Sequence, residues 1–498
     1  MYDYLIIGAG SAGCVLANRL TEDRATSVLV LEAGGRDDEP AIRDPDLYRS
    51  LVGTTVDWAY MTEEEPFLRK RKSPMPQGKV LGGSSSINGM IYARGSRADF
   101  AEWRALGNAG WSYEEVLPFF KKSENWRGAP SAYRGQGGPV TVTGVSEVTP
   151  LLSAFLTAGE QLGWARNDDY NGQSQDGFST LQFNIRDGKR DSAATSYLHP
   201  ALARPNLTVW TDTLVTRVIF EGRRAVGVAC LRNGEEQHLR ANKEVILCAG
   251  AINSPQTLLL SGVGPADQLR ALDIPVVADL PGVGENLQNH LLLLTHSATK
   301  RPLPSVSIHP DGIAFIMSRA GLAAPDLQLL FAPLSVTPDG QSYTTGLILL
   351  SPQSRGRLAL RSANPRDPPN IFANYLADPV DLRALVDGVS IVRRINDSAA
   401  LAPFYAGELI PGPQVQDEAA LNNHICDRVE GASHQVGTCK MGRDRSAVVD
   451  EQLQVHGLEG LRVVDASIMP TIVRANTNAT VIMVAERAAD LIRHRSPA

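Results

Sequence analysis

The sequence is short of most features that mark a specialised chain. Five cysteines in 498 residues, none in a Cys-x-x-Cys pair, leave neither a disulfide framework nor a structural zinc motif, and such usage fits a reducing compartment. No apolar run approaches the roughly 18 residues of a membrane span; 291–294 is long enough only for part of a strand. Aromatic residues make up 6% of the chain, and neither sign of charge dominates, 48 Lys and Arg standing against 54 Asp and Glu for a net charge of −6. That mildly acidic balance carries no electrostatic footprint for nucleic acid or an anionic membrane. The longest basic cluster, Arg69-Lys70-Arg71-Lys72, reads as a solvated loop. Repeats and low-complexity tracts are absent. Met1-Tyr2-Asp3-Tyr4 runs directly into an apolar segment with no charged leader, so the expected location is cytoplasmic.

What is present describes a globular protein. Hydrophobic residues reach 43% and charged residues 20%, in a chain too long for one ordinary core. Leu5-Ile6-Ile7 is continuously apolar, as in a parallel strand covered on both faces. Gly8-Ala9-Gly10-Ser11-Ala12-Gly13 follows, then a helix with Val15, Leu16 and Leu20 on one face. A second buried strand, Val28-Leu29-Val30-Leu31, ends at Glu32-Ala33. Strand, Gly-rich turn, helix and strand make a βαβ unit.

Further along, 78–88 reads as a Gly/Ser-rich turn entering a helix, and 113–123 as a helix entered through Ser112 with Glu115 three residues on. The Gly/Pro-rich stretch 125–138 reads as a linker at a domain boundary. Residues 149–162 suit a helix. Antiparallel strands are expected at 207–219, 226–231 and 237–239, and a buried strand at 245–247. Mixed segments over 291–360 suit a second sheet. The chain returns to its opening style at the end, with a strand at 461–464 and a helix from Thr480 to Arg493.

The Gly8-x-Gly10-x-x-Gly13 spacing has a mechanism. Gly8 permits the tight turn, Gly10 lets backbone approach a pyrophosphate, and Gly13 allows helix and strand to pack closely. The phosphates would rest on the free N–H groups of the helix that starts near Ser11 and Ala12. Glu32, nineteen residues past Gly13, is placed to accept hydrogen bonds from ribose hydroxyls and to repel a 2′-phosphate. The motif alone does not separate FAD from NAD. No second complete copy exists, since Gly262-Val263-Gly264 and Gly282-Val283-Gly284 lack the later glycine, which favours one permanently held dinucleotide.

Five further motifs carry a resemblance. They are Gly78-Lys79-Val80-Leu81-Gly82-Gly83-Ser84-Ser85-Ser86-Ile87-Asn88, Ala249-Gly250-Ala251-Ile252-Asn253-Ser254-Pro255, and Pro281-Gly282-Val283-Gly284-Glu285-Asn286-Leu287. His434-Gln435-Val436-Gly437-Thr438-Cys439-Lys440-Met441-Gly442 and Asp465-Ala466-Ser467 with Asn476-Thr477-Asn478 complete the set. In this order they resemble the glucose–methanol–choline (GMC) oxidoreductase family over essentially the whole chain. The resemblance implies an α/β fold: a Rossmann-like FAD-binding domain and a second, α+β substrate domain with a six-stranded antiparallel sheet. The expected boundaries are 1–145, 205–290 and 438–498 for the first domain, and 146–204 and 291–437 for the second.

The resemblance also implies FAD contacts. Leu81, Gly82, Ser85, Asn88, Gly89 and Met90 would line the cofactor, and Val215 would meet the adenine side through its backbone. Ala249 and Gly250 join Asp465 and Ala466 near the ribityl–pyrophosphate region, and Thr477 lies near the pyrimidine end of the flavin. Some choline-oxidising relatives attach FAD through a histidine in the Gly-Gly motif; the matching residue here is Ile87, so non-covalent FAD is expected. No metal site is expected.

Of nine histidines, His434 matches the family's active-site histidine. A neutral imidazole titrates near ambient pH and is suited to take an alcohol proton, while hydride from the same carbon passes to the flavin. Asn478, forty-four residues later, matches the second catalytic position and would orient the alcohol oxygen. His290 and His296, beside an apolar run, are expected to be core histidines. The function expected is FAD-dependent oxidation of a small primary or benzylic alcohol, or of an aldehyde hydrate, with O₂ or a quinone-type acceptor. The alternative is a hydroxynitrile lyase-like enzyme with structural FAD. The substrate pocket is expected from 182–190, 291–331 and 429–433, and the assembly is expected to be a monomer or weak dimer.

Overall fold

The computed structural model describes residues 1–301, 303, 309–333 and 341–494. Part of the 291–331 stretch expected to shape the pocket therefore lies outside the described residues. Five strands make the parallel part of the first sheet, in the order Leu207–Trp210, Val28–Leu31, Tyr2–Ile7, Glu235–Leu247 and Leu461–Val463. The central pair, Leu5 to Ile7 and Val28 to Leu31, is buried throughout, as helices on both faces require. The strand Glu235–Leu247 does two jobs. Its second half pairs in parallel with the opening strand, while its first half continues antiparallel through Arg224–Arg232 to Thr213–Glu221.

The second sheet is antiparallel. Its order is Tyr405–Ile410, Leu291–Thr299, Ser342–Leu349, Leu327–Ala332, Gly312–Ile316 and Gly177–Thr180. The short strand Glu430–Gly431 also pairs with Leu291–Thr299 and makes a seventh. Alternation along each strand divides the sheet into two faces. Phe331 and Leu347 point to covering helices: Phe331 stacks on Phe155 at 4.4 Å, and Leu347 lies against Gly388 of the helix Pro379–Asn396. The opposite face carries Leu292, Leu330 and Ile348, which pack with Met90 and Ile91 in a separate cluster.

Several expectations need correction. Residues 83–86 form one 3₁₀ turn and do not continue into a helix, because the chain turns through Gly82 and Gly83 at positive φ. The stretch 125–138 is closed by pairing and is no free linker: Glu124–Trp126 and Val140–Gly144 pair in parallel across it. The expected strand at 207–219 is two strands in different neighbourhoods, and those at 237–239 and 245–247 are one. The helices Tyr113–Ser123 and Pro150–Gln161 stand where expected, the first with its Ser112–Glu115 capping box.

A buried ion cluster braces the region beneath the second sheet. Glu124 is fully buried and bonds Arg94 at 2.7 Å and Arg134 at 2.6 Å, both also buried; Arg134 continues to Asp169 at 2.7 Å and Gln182 at 2.9 Å. Gln182 is thus spent on packing. Removing the Glu124 charge would leave two buried guanidinium groups with too little compensation, a change that costs about 3–5 kcal/mol. Glu124→Gln should lose stability of that size in denaturant unfolding; a loss under about 1 kcal/mol would show that solvent screens the cluster.

Candidate active site

A cavity of about 680 Å³ runs between the carboxyl ends of the parallel strands and the open face of the second sheet. Its floor is glycine-lined for steric reasons. A Cβ on Gly83 would stand 2.7 Å from the Gly10 Cα, so the two Gly-rich loops touch backbone to backbone. Gly8, at φ +98°, would drive a Cβ to 2.7 Å from the Cys248 carbonyl. Gly13 works behind the wall, where a Cβ would fall 1.9 Å from the Gly8 carbonyl.

Two helix N-termini open onto this floor. Helices Ser11–Leu20 and Asn478–Arg493 have no side-chain cap bond, Gly10 and Thr477 being their flanking residues, and neither has an acidic residue in its first turn. Their unpaired N–H groups and positive dipole ends suit an anion such as a pyrophosphate. A third helix, Gly250–Leu260, is clamped differently: Asp465 accepts from the Gly250 N–H at 2.9 Å and from Ser254 at 2.5 Å, while its other oxygen accepts from Ser467. Ala249, Gly250, Asp465 and Ala466 all reach the cavity wall. So do Ala12, Ala33 and Val215, with Asn88, Gly89 and Met90 on the opposite side.

Glu32 lines the cavity and accepts the Ala9 and Gly34 N–H groups, each at 2.8 Å; burial pushes its carboxyl up to about 7 against those bonds. Leu81, Gly82 and Ser85, expected to touch the cofactor, stand behind the wall instead. Gly82 donates to the Ala9 carbonyl, the Leu81 carbonyl accepts from Ser86, and Ser85 bridges the Gly82 carbonyl and the Ala193 N–H. Gly83 and Ser84 face the cavity in their place. The loop is bolted from outside by Arg190, which donates to the carbonyls of Ile42, Ser85 and Asn88. Arg190 therefore supports the cofactor loop, and no residue of 182–190 lines the cavity.

At the far end stands His434. Its backbone N–H donates to Asn289, which in turn donates to Tyr375. Its ring Nδ1 lies 2.9 Å from Nδ1 of His290, the two rings nearly perpendicular, and its Nε2 lies 3.2 Å from the amide nitrogen of Asn476. The partner expected for His434 needs correction. Asn478 begins the last helix, and its oxygen accepts from Ser11 at 2.6 Å; the amide beside His434 belongs to Asn476, two residues before the helix. Asn476 is held by Gln328 of the second sheet, which donates to its oxygen at 3.2 Å. His296 is a core histidine bonded to Thr344, but His290 is part of the site. Sequence reasoning missed Asn476, Gln328 and the role of His290; the one available signal was a histidine bordering a wholly apolar run.

The chain was compared with known proteins. The GMC oxidoreductase family model matches residues 2–292 and 352–485. The chain belongs to the GMC oxidoreductase family. It is 43% identical to the mitochondrial choline dehydrogenase of Homo sapiens over 99% of this chain and 90% of that protein. It is also 43% identical to an oxygen-dependent choline dehydrogenase of Pseudomonas aeruginosa, over 100% and 95%. Among solved structures, pyridoxine 4-oxidase from Mesorbium loti superposes over the whole of both chains with a TM-score of 0.95 at 32% identity. A GMC oxidoreductase of this fold is an FAD-dependent enzyme acting on alcohols, and the Gly-lined floor and open helix ends fit the dinucleotide. No described helix is long and apolar enough to cross a membrane, and no His, Cys, Asp and Glu group among the described residues suits a metal ion.

Burial holds the His434 imidazole down to about 4, and no carboxylate hydrogen-bonds its ring among the described residues. The unfolded imidazole titrates near 6.5. Between about pH 6.5 and 4 the unfolded chain therefore binds the extra proton, and stability falls as pH falls through that window. Thermal melts of the holoenzyme at pH 7 and pH 5 should show a smaller acid loss for His434→Gln than for the parent. Equal losses would mean that the ring titrates normally.

Proposed function

We propose that this GMC oxidoreductase oxidises an uncharged primary alcohol, aromatic or short-chain, with His434 as the base. The observation that carries the reading is the meeting of His434 and the Asn476 amide in a cavity whose other half suits FAD. FAD bound there supplies the acceptor for the hydride that leaves the carbinol carbon. His434 Nε2 takes the hydroxyl proton, and a ring kept neutral at pH 7 is ready to do so. The Asn476 amide donates to the alcohol oxygen as negative charge develops on it, the role first expected of Asn478. Asn478 and Ser11 instead join the two helix starts beside the dinucleotide. Ile87, buried among Ile42, Leu51 and Val80, has no side chain able to bond the flavin, so FAD is held without a covalent link.

The wall around His434 bears on the substrate. Met90, Ile91, Leu292, Leu330 and Ile348 make it apolar. The acidic residues among the described lining are Glu32, Asp367 and Asp465; Glu32 and Asp465 are engaged by the bonds given above, and Asp367 bonds Ser362 and Asn364. A quaternary ammonium such as that of choline would meet no free carboxylate there, and the aromatic rings of the lining, Tyr48, Trp58 and Tyr60, offset its desolvation only in part. The choline relatives therefore guide the reaction type better than the substrate.

Anaerobic reduction of the bound flavin by a panel of alcohols tests both parts. Benzyl alcohol is expected to exceed choline in kcat/KM by about 10²-fold, or about 2.7 kcal/mol. His434→Ala should slow reduction by about 10²- to 10⁴-fold with FAD retained. Faster reduction by choline would overturn the substrate class, and near-normal reduction in the variant would overturn the base. Aldehyde release without bleaching of the flavin would point to a lyase. Peroxide formed in air, against reduction of an added quinone, separates the acceptors.

A further inference from the structure

The contact between His290 and His434 leaves a question of direction. One proton lies between the two Nδ1 atoms, and either ring could own it. If His290 donates, a neutral His434 carries its proton on Nε2 and has no lone pair to offer a substrate. If His434 donates, Nε2 is bare.

The surroundings of His290 favour the second. His290 has no exposed surface, and its Nε2 makes no hydrogen bond of good geometry. The backbone carbonyls of Leu350 and Val473 act on that ring in the sense that favours a bound proton. Carbonyl oxygens only accept, and backbone cannot flip as an amide side chain can. Nδ1 is turned to His434, so Nε2 is the ring position left for a proton that those carbonyls would favour. A neutral His290 protonated there has its Nδ1 as the acceptor.

The other end of the chain agrees. With Nδ1 of His434 donating, its Nε2 accepts from the Asn476 amide, and the Asn476 oxygen accepts from Gln328. Reversing the direction would place N–H of His434 against N–H₂ of Asn476 unless both Asn476 and Gln328 turned over. Register supports the arrangement too: Gln328 faces Ile348 across the sheet, and Leu292 pairs with Ile348 from the other side. His290, two residues before Leu292, continues that same face, so the strands that supply the apolar wall also supply both ends of the hydrogen-bonded chain.

We propose that His290 and Gln328 are positioning residues that fix the proton of His434 on Nδ1, leaving Nε2 bare toward the cavity to receive the substrate proton. The alcohol hydroxyl takes the place of the Asn476 N–H at Nε2, that N–H turning to the alcohol oxygen, and when the alcohol O–H bond breaks the new N–H bond forms at Nε2. The resulting imidazolium keeps its Nδ1–H on His290, whose own proton stays on Nε2; sealed from solvent, His290 orients the base and does not pass the proton on. The inference rests on the assignment of His434 as the base.

The holoenzyme labelled with ¹⁵N-histidine tests it without substrate, since protonated and bare ring nitrogens differ widely in ¹⁵N shift. Signals that disappear in His434→Gln and in His290→Asn identify the two rings. The expected result is a protonated Nδ1 and bare Nε2 for His434, with the reverse for His290. A proton on Nε2 of His434 would overturn the proposal. Kinetically, His290→Leu removes the acceptor and should slow flavin reduction about 10- to 100-fold with little change in KM, as losses of such supporting bonds do. His290→Asn, whose carbonyl can accept from Nδ1, should recover most of that loss, whereas equal losses in the two variants would overturn the role. If His290→Leu fails to fold, the parent's ¹⁵N shifts decide alone. Retained reduction in His434→Ala would refute the base assignment whichever tautomer the shifts report.

Discussion

The site depends on one segment, 286–290, that fastens two halves of the molecule through the side chains of Asn286, Gln288, Asn289 and His290. Asn286 donates to the carbonyls of Gly437 and Pro470, and Gln288 donates to Pro470 while accepting from the Ile472 N–H. Asn289 accepts from the His434 backbone, and His290 meets the His434 ring. Backbone bonds between Gln288 and Val436 run in both directions. The loop carrying His434 and the loop leading to Asn476 are thus pinned to the same strand. Without that common anchor, two residues over forty positions apart would have no reason to share a cavity wall.

The two halves of the cavity divide the electrostatic work. The dinucleotide half offers positive potential through helix ends left without side-chain caps and without acidic residues in their first turns. Its carboxylates, Glu32 and Asp465, are occupied by backbone N–H and hydroxyl groups. The other half sets His434 and Asn476 beside an apolar wall of Met90, Ile91, Leu292, Leu330 and Ile348, which sharpens the effect of any charge developed there. Burial keeps the His434 imidazole neutral at pH 7, the form that the proposed base requires.

The second sheet makes this possible by simple alternation. One set of side chains binds it to helices through contacts such as Phe155 with Phe331. The intervening set, Leu292, Gln328, Leu330 and Ile348, is free to form a wall. A slip of one residue in any of these strands would exchange the two sets and remove Gln328 from Asn476. The apolar wall and the placing of Gln328 against Asn476 therefore share one structural cause.

Some local signals were legible in the chain. The Gly8-x-Gly10-x-x-Gly13 turn, the strand before it, the Ser112–Glu115 cap and the placing of Glu32 each depend on neighbours within one turn, strand or βαβ unit, so spacing alone specifies them. His434 was legible through its motif. Asn476 and Asn478 were not separable by counting, since both lie at suitable distance along the chain. What separates them is where the last helix starts: Asn478 falls at its first residue and turns toward Ser11, whereas Asn476 remains in the preceding loop under Gln328. The partnership of His290 was hidden for a similar reason, because it arises from strand pairing between segments more than a hundred residues apart. Sequence determined which chemistry the chain carries and which dinucleotide fold supports it. Tertiary structure decided which amide and which second imidazole address His434, because hydrogen bonds are made between positions in space and register across strands is not written in spacing along one.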